Sequence, residues 1–101
     1  MTKYDKLVRD LIPEIIAAKG GTAKVRLASA QEYEVKLREK LQEEVNEYLE
    51  SSNPEELADI MEVVHALGAL HSHTPEQLEL MRADKATARG GFKKRIILEE
   101  A

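Results

Sequence analysis

Two long helical stretches with almost nothing between them constrain this chain most. From Ser29 to about Glu50, and again from Pro54 to about His71, apolar residues recur every three or four positions. Only Ser51-Ser52-Asn53-Pro54 breaks the run. Spacing of that kind lays one apolar stripe along a helix. So short a break makes the second helix fold back antiparallel on the first. Start signals support both. Ser29 and Glu32 have capping-box spacing, and Asn53-Pro54 offers an N-cap followed by proline in the first turn. Thr74-Pro75-Glu76-Gln77 repeats the signal for a last helix ending at Gly90-Gly91, and a first short helix begins near Leu11 or Pro13 and stops at Gly20-Gly21. From Thr22 to Ala28, Ala23, Val25 and Leu27 alternate with Lys24 and Arg26, which is the period of a strand; the tail from Arg95 to Leu98 is its expected partner. The expected fold class is therefore mainly α, an antiparallel bundle of about four helices with a small two-stranded β element.

The apolar stripes carry acids. At about 100° per residue, Leu37, Leu41, Val45, Tyr48 and Leu49 form the stripe of the first central helix, and Glu44 falls inside or beside it. Lys40 and Glu47 flank it, and Glu43 lies further out. On the next helix Glu56 sits within the arc made by Leu57, Ile60, Met61, Val63, Val64, Leu67 and Leu70. Asp59 is at its edge and Glu62 on the far side. Closing the hairpin carries Glu44 and Glu56 inward. A buried carboxylate is destabilising by several kcal/mol unless it is paired or bound to metal. Salt bridges to Lys40 or Lys85 are one way out. The other is a hard divalent cation held by two i, i+3 pairs on facing helices, Glu44/Glu47 and Glu56/Asp59. Structural ion-pair networks bury acids too, so helix geometry leaves both readings open. Glu43, Glu50, Glu55 and Glu62 read as solvated.

Size and charge narrow the function classes. The 101 residues read as one domain, 1–101, with a modest core of the kind that recruits a second copy. A net charge of −4 argues against a nucleic-acid polymer as partner, which would call for a basic surplus. The absence of cysteine excludes disulfides and thiolate chemistry. No apolar run approaches the ~20 residues of a bilayer span, and charges are scattered through the N-terminus, so no membrane is expected and the cytoplasm is the expected location. His65 and His71 are six apart, with His73 in a loop, and do not converge as metal ligands. Gly90-Gly91 follows a helix instead of opening one and lacks the spacing of a phosphate loop.

The acids nevertheless form a pattern. Glu43-Glu44-Val45-Asn46-Glu47 followed by Glu56-Leu57-Ala58-Asp59 resembles the EExxE…ExxD signature of the MazG-like all-α nucleoside triphosphate pyrophosphohydrolases, a superfamily that includes the phosphoribosyl-ATP pyrophosphohydrolase of histidine biosynthesis. The opening Tyr4-Asp5-Lys6-Leu7-Val8-Arg9-Asp10-Leu11-Ile12-Pro13, the helix from Glu56 to Leu67, and the closing Lys85 to Arg95 look like a compact subgroup often labelled phosphoribosyl-ATP pyrophosphohydrolase-like. The resemblance spans nearly the whole chain.

It implies Mg²⁺, or Mn²⁺ in its place, held by Glu44, Glu47, Glu56 and Asp59. It also implies cleavage of a nucleotide between its α- and β-phosphates, giving a monophosphate and pyrophosphate, and assembly as a homodimer or higher homo-oligomer. Glu44 or Glu47 is the expected catalytic group that positions or deprotonates water, with Glu43 a weaker candidate. Lys40, Lys85, Arg89, Lys6 and Arg9 are the expected phosphate-binding residues; interhelical salt bridges or a match to the helix dipole are the other use for Lys85 and Arg89. House-cleaning of modified nucleoside triphosphates is the first expectation. Phosphoribosyl-ATP hydrolysis and a non-catalytic nucleotide-binding helical dimer are the alternatives. One departure stands out: only eight residues separate Glu47 from Glu56, fewer than is usual in that family, which shortens the loop between the helices.

Overall fold

Local signals place every helix. In the computed structural model, which describes residues 2–101, α1 spans Ile12–Ala18, α2 Ala30–Ser51, α3 Pro54–Leu70 and α4 Pro75–Arg89. Pro13, Pro54 and Pro75 all lie in first turns, where the missing amide hydrogen has no helical partner to lose. The Ser29 hydroxyl accepts from the Glu32 amide at 3.2 Å, and the Asn53 side chain accepts from the Glu55 amide at 2.9 Å. At α4 the box is complete: Gln77 N–H donates to Thr74 Oγ1 at 3.1 Å, while Thr74 N–H donates to Gln77 Oε1 at 2.8 Å. The box at α2 is only half made, because the Glu32 carboxylate is taken by Arg26. Gly20, with φ of 84°, turns the chain out of α1 in the left-handed region that glycine reaches without strain.

Ser52 and Asn53 alone separate α2 from α3, and the two helices pack along their length as an antiparallel hairpin. Leu37 on α2 and Val63 on α3 are the buried apolar side chains, 3% and 7% exposed. Further along α3, Gly68 lets the start of α4 approach: a methyl group there would lie 2.5 Å from Leu78 Cδ1. Much of the rest of the α3 stripe is open, with Ile60 and Leu67 half-buried. Leu57, Met61 and Val64 are exposed beside the face that meets α2, and on α2 Leu49 is 70% exposed although its phase put it in the buried stripe.

The two-stranded β element does not form among the described residues. Residues 21–29 and 95–101 run without secondary structure. A lone strand gains nothing from alternation until a partner supplies its ladder of hydrogen bonds. Here Arg26 turns instead to Glu32 and Asp5, and Leu27, Ile96, Ile97 and Leu98 are left in solvent. The all-helical part of the expectation stands, without the sheet. No helix of the described residues is long and apolar enough to cross a membrane.

The monomer is under-buried for its size. It exposes 9175 Å², against about 5,800 Å² for a compact monomer of this mass. Its radius of gyration is 17.6 Å, where a chain of this length usually packs to about 13 Å. Leu37→Ala is expected to cost about 2–5 kcal/mol, read as a lower urea midpoint at unchanged slope. Leu49→Ala on an isolated monomer is expected to cost no more than about 0.5 kcal/mol. An equal loss at both positions would show that Leu49 is covered by another copy.

Candidate metal centre

The hairpin brings acids together in two overlapping groups. Glu44, Glu56 and Asp59 each place one carboxylate oxygen within 4.8 Å of the others, joining α2 to α3. Glu43, Glu44 and Glu47 do the same on α2 alone. Glu44 belongs to both groups and is the buried member, 6% exposed. It is carried inward because it shares the face of Leu37, as helical spacing requires. Glu47, Glu56 and Asp59 are half-buried around it.

Charge pairing at Glu44 is incomplete. Lys40, one turn earlier, lies 3.3 Å from Glu44 Oε1, so the salt bridge anticipated from spacing is present. The second oxygen, Oε2, is buried and has no hydrogen-bond partner. Burial is the largest influence on this carboxyl group and pushes its pKa above the usual value; Lys40 opposes the shift and Glu47 adds to it. Burial also raises Glu56, followed by the neighbouring carboxylates of Glu47 and Asp59. Among the described residues Glu56 has no ion pair with a basic side chain. The donor set is all carboxylate oxygen, contains no histidine, and includes one buried oxygen that the protein leaves unsatisfied. Those features fit a hard divalent cation.

Of the expected cations, Lys6 and Arg9 reach the cluster from the segment before α1. The segment before α1 crosses the groove between α2 and α3. Lys6 donates to Glu43 Oε1 at 2.7 Å, and Arg9 donates to Asp59 Oδ1 at 2.7 Å. Lys6, Val8, Arg9 and Ile12 thereby form one wall of a cleft of about 260 Å³, with Lys40, Glu44 and Asp59 on the other. Glu43 is consequently not the solvated bystander its position on the wheel suggested. It is half-buried between Lys6 and Lys40, and the Lys6 hydrogen bond in particular holds its pKa below the usual value. Both strap pairs are solvent-accessible, so each contributes on the order of 0.2–1 kcal/mol.

The remaining sequence candidates fall elsewhere. Lys85 and Arg89 are exposed on α4, outside the residues that line this cleft. Glu62 is exposed, as its phase required, and His73 bonds locally to the His71 carbonyl at 2.7 Å. Glu43 was the residue that spacing alone missed. Lys40, three residues earlier on α2, was its one local signal, but nothing local reveals that Lys6 returns to Glu43 across 37 positions.

Glu44→Gln removes a buried charge while keeping side-chain shape. Without metal, the variant is expected to unfold no earlier than the parent, because it relieves an unsatisfied and crowded carboxylate. Added Mg²⁺ or Mn²⁺ is expected to stabilise the parent by about 2.7 kcal/mol at a hundred times the dissociation constant, and the variant far less. Equal thermal shifts in the two proteins would place the cation elsewhere.

No family model, curated protein or solved structure matches this chain.

Proposed function

We propose that the protein is a Mg²⁺-dependent nucleotide pyrophosphohydrolase of the MazG-like kind, cleaving a nucleoside triphosphate between its α- and β-phosphates. The observation that carries this reading is the buried, half-satisfied carboxylate of Glu44 beside Glu56 and Asp59 from the facing helix. It is supported by the resemblance of EEVNE…ELAD to that family's signature, in which these same acids hold the metal. Mn²⁺ is an alternative ion of the same hard, oxygen-preferring kind.

In this reading Glu44, Glu56 and Asp59 hold the cation from two helices, and Glu47 completes the set from α2. When bound, Mg²⁺ neutralises phosphate charge and lowers the pKa of water. Glu47 lies beside both Glu44 and Glu56, at the half-buried rim of the cluster, where it can orient the attacking water. Glu47 or Glu44 takes the water proton while the oxygen bonds to phosphorus and the bridging oxygen leaves with pyrophosphate. No covalent enzyme intermediate is required. Lys40, Lys6 and Arg9 line the cleft and face the phosphate charge. The substrate class is a nucleotide, with modified nucleoside triphosphates or phosphoribosyl-ATP as the members to test first; no nucleic-acid polymer is involved.

The active form is proposed to be a homodimer or higher homo-oligomer. Its support is the excess of exposed surface over a compact monomer of this mass, together with Leu49, Leu57, Met61 and Val64 left open on the two central helices. A cytoplasmic location belongs to the same proposal.

The test is pyrophosphate release from standard, deoxy and modified nucleotides and from phosphoribosyl-ATP, with Mg²⁺ and with chelator. Turnover is expected only with metal. Glu56→Gln is expected to lower kcat by at least 10²-fold with the helical circular dichroism retained, and Glu62→Gln to change it less than twofold. A fully active Glu56→Gln protein would sink the assignment of the acids, and no turnover with any nucleotide would sink the enzyme.

A further inference from the structure

The segment in front of α1 is anchored at one end and tied to the acids at the other. Lys36 on α2 donates to the Asp5 carbonyl oxygen at 2.8 Å, and the Asp5 carboxylate also faces Arg26 at 3.2 Å. Asp5 itself sits at φ 46°, where an aspartate is among the few residues other than glycine that settle readily. Beyond this bend Lys6 reaches Glu43 on α2 and Arg9 reaches Asp59 on α3, so the strap bridges both helices over the acid cluster. The anchor is distinct from the two contacts that cover the cluster. Those contacts are accessible to solvent, with 54% of the Arg9 side chain exposed.

Asp59 has two calls on it. One of its oxygens is Arg9's partner, yet Asp59 is also one of the three acids whose oxygens converge within 4.8 Å around the unsatisfied Glu44. A divalent cation among those acids would stand beside a guanidinium, and like charges at such range repel strongly where water is partly excluded. A freed guanidinium keeps its planar fork of donors, which matches a phosphate edge.

Building on the metal-site reading above, we propose that Arg9 is an exchangeable counter-ion: it neutralises Asp59 while the site is empty of cation, gives way when a divalent cation binds, and then turns to the polyphosphate of the incoming nucleotide. Cation and Arg9 compete for Asp59, whereas cation and nucleotide assist each other through Arg9. Linkage makes the two couplings opposite in sign. Each coupling is also reciprocal, so a bound nucleotide frees Asp59 for the cation as the cation frees Arg9 for the nucleotide.

The test measures two affinities in Arg9→Met and in the parent: Mn²⁺ by electron paramagnetic resonance without nucleotide, and an α,β-imido nucleoside triphosphate by calorimetry at saturating Mn²⁺. Arg82→Met, on the exposed face of α4, controls for the lost charge. Arg9→Met is expected to bind Mn²⁺ three- to tenfold tighter and the nucleotide analogue at least tenfold weaker; the Arg82 variant is expected to do neither. Arg9→Lys is expected to restore Mn²⁺ affinity towards the parent value but to recover the analogue only in part. Weakening of both affinities by Arg9→Met would make Arg9 a merely structural tie, and no change in either would make it a bystander; both overturn the exchange. If the parent itself takes up no Mn²⁺, the metal site fails and the exchange falls with it, an outcome separate from a parent that binds Mn²⁺ and a variant that behaves the same.

Discussion

The packing of α2 on α3 is the contact on which the rest depends. It buries Leu37 against the side of α3 that carries Val63, and because Glu44 shares the Leu37 face it is buried too. The apolar contact and the unsatisfied carboxylate are thus one event. Burial of the apolar groups drives the helices together, and the same closure removes water from an oxygen that nothing in the protein replaces. Closure therefore costs stability at Glu44, a cost that the proposed cation would remove.

Everything around the hairpin responds to that closure. Lys40 satisfies one oxygen of Glu44 and shares itself with Glu43. Glu56 and Asp59 come from the opposite helix, and the strap before α1 lays Lys6 and Arg9 over the outer acids. The cluster is therefore covered on one side by its own basic groups. None of these exposed pairs is strong by itself. Their arrangement matters more than their energy, because it lays positive charge over a carboxylate cluster whose oxygens could hold a cation.

What was legible in the chain was local. Ser29, Asn53 and Thr74 placed three helix starts by hydrogen bonds within three residues, and the structure contains each one. The helical phase put Glu44 inside and Glu62 outside, since that phase depends only on 3.6 residues per turn. The same reasoning misplaced Leu49, which stands about 120° from Leu37 at the margin of the α2 stripe and is left open in one copy. It also proposed a strand at Val25 from alternation, and alternation describes which way side chains point without supplying the neighbour that a strand needs.

By itself, then, the sequence determined the helices, the antiparallel turn at Ser52-Asn53, and the inward face of the acids, because caps, proline positions and periodicity act within a few residues. Only the tertiary structure decided that Glu43 is tied to Lys6, that Arg9 lies on Asp59, that Lys85 and Arg89 stay outside the cleft, and that residues 21–29 and 95–101 do not pair as strands. Those outcomes are set by which distant segments meet, and a pattern of spacing along one segment holds no information about its partner.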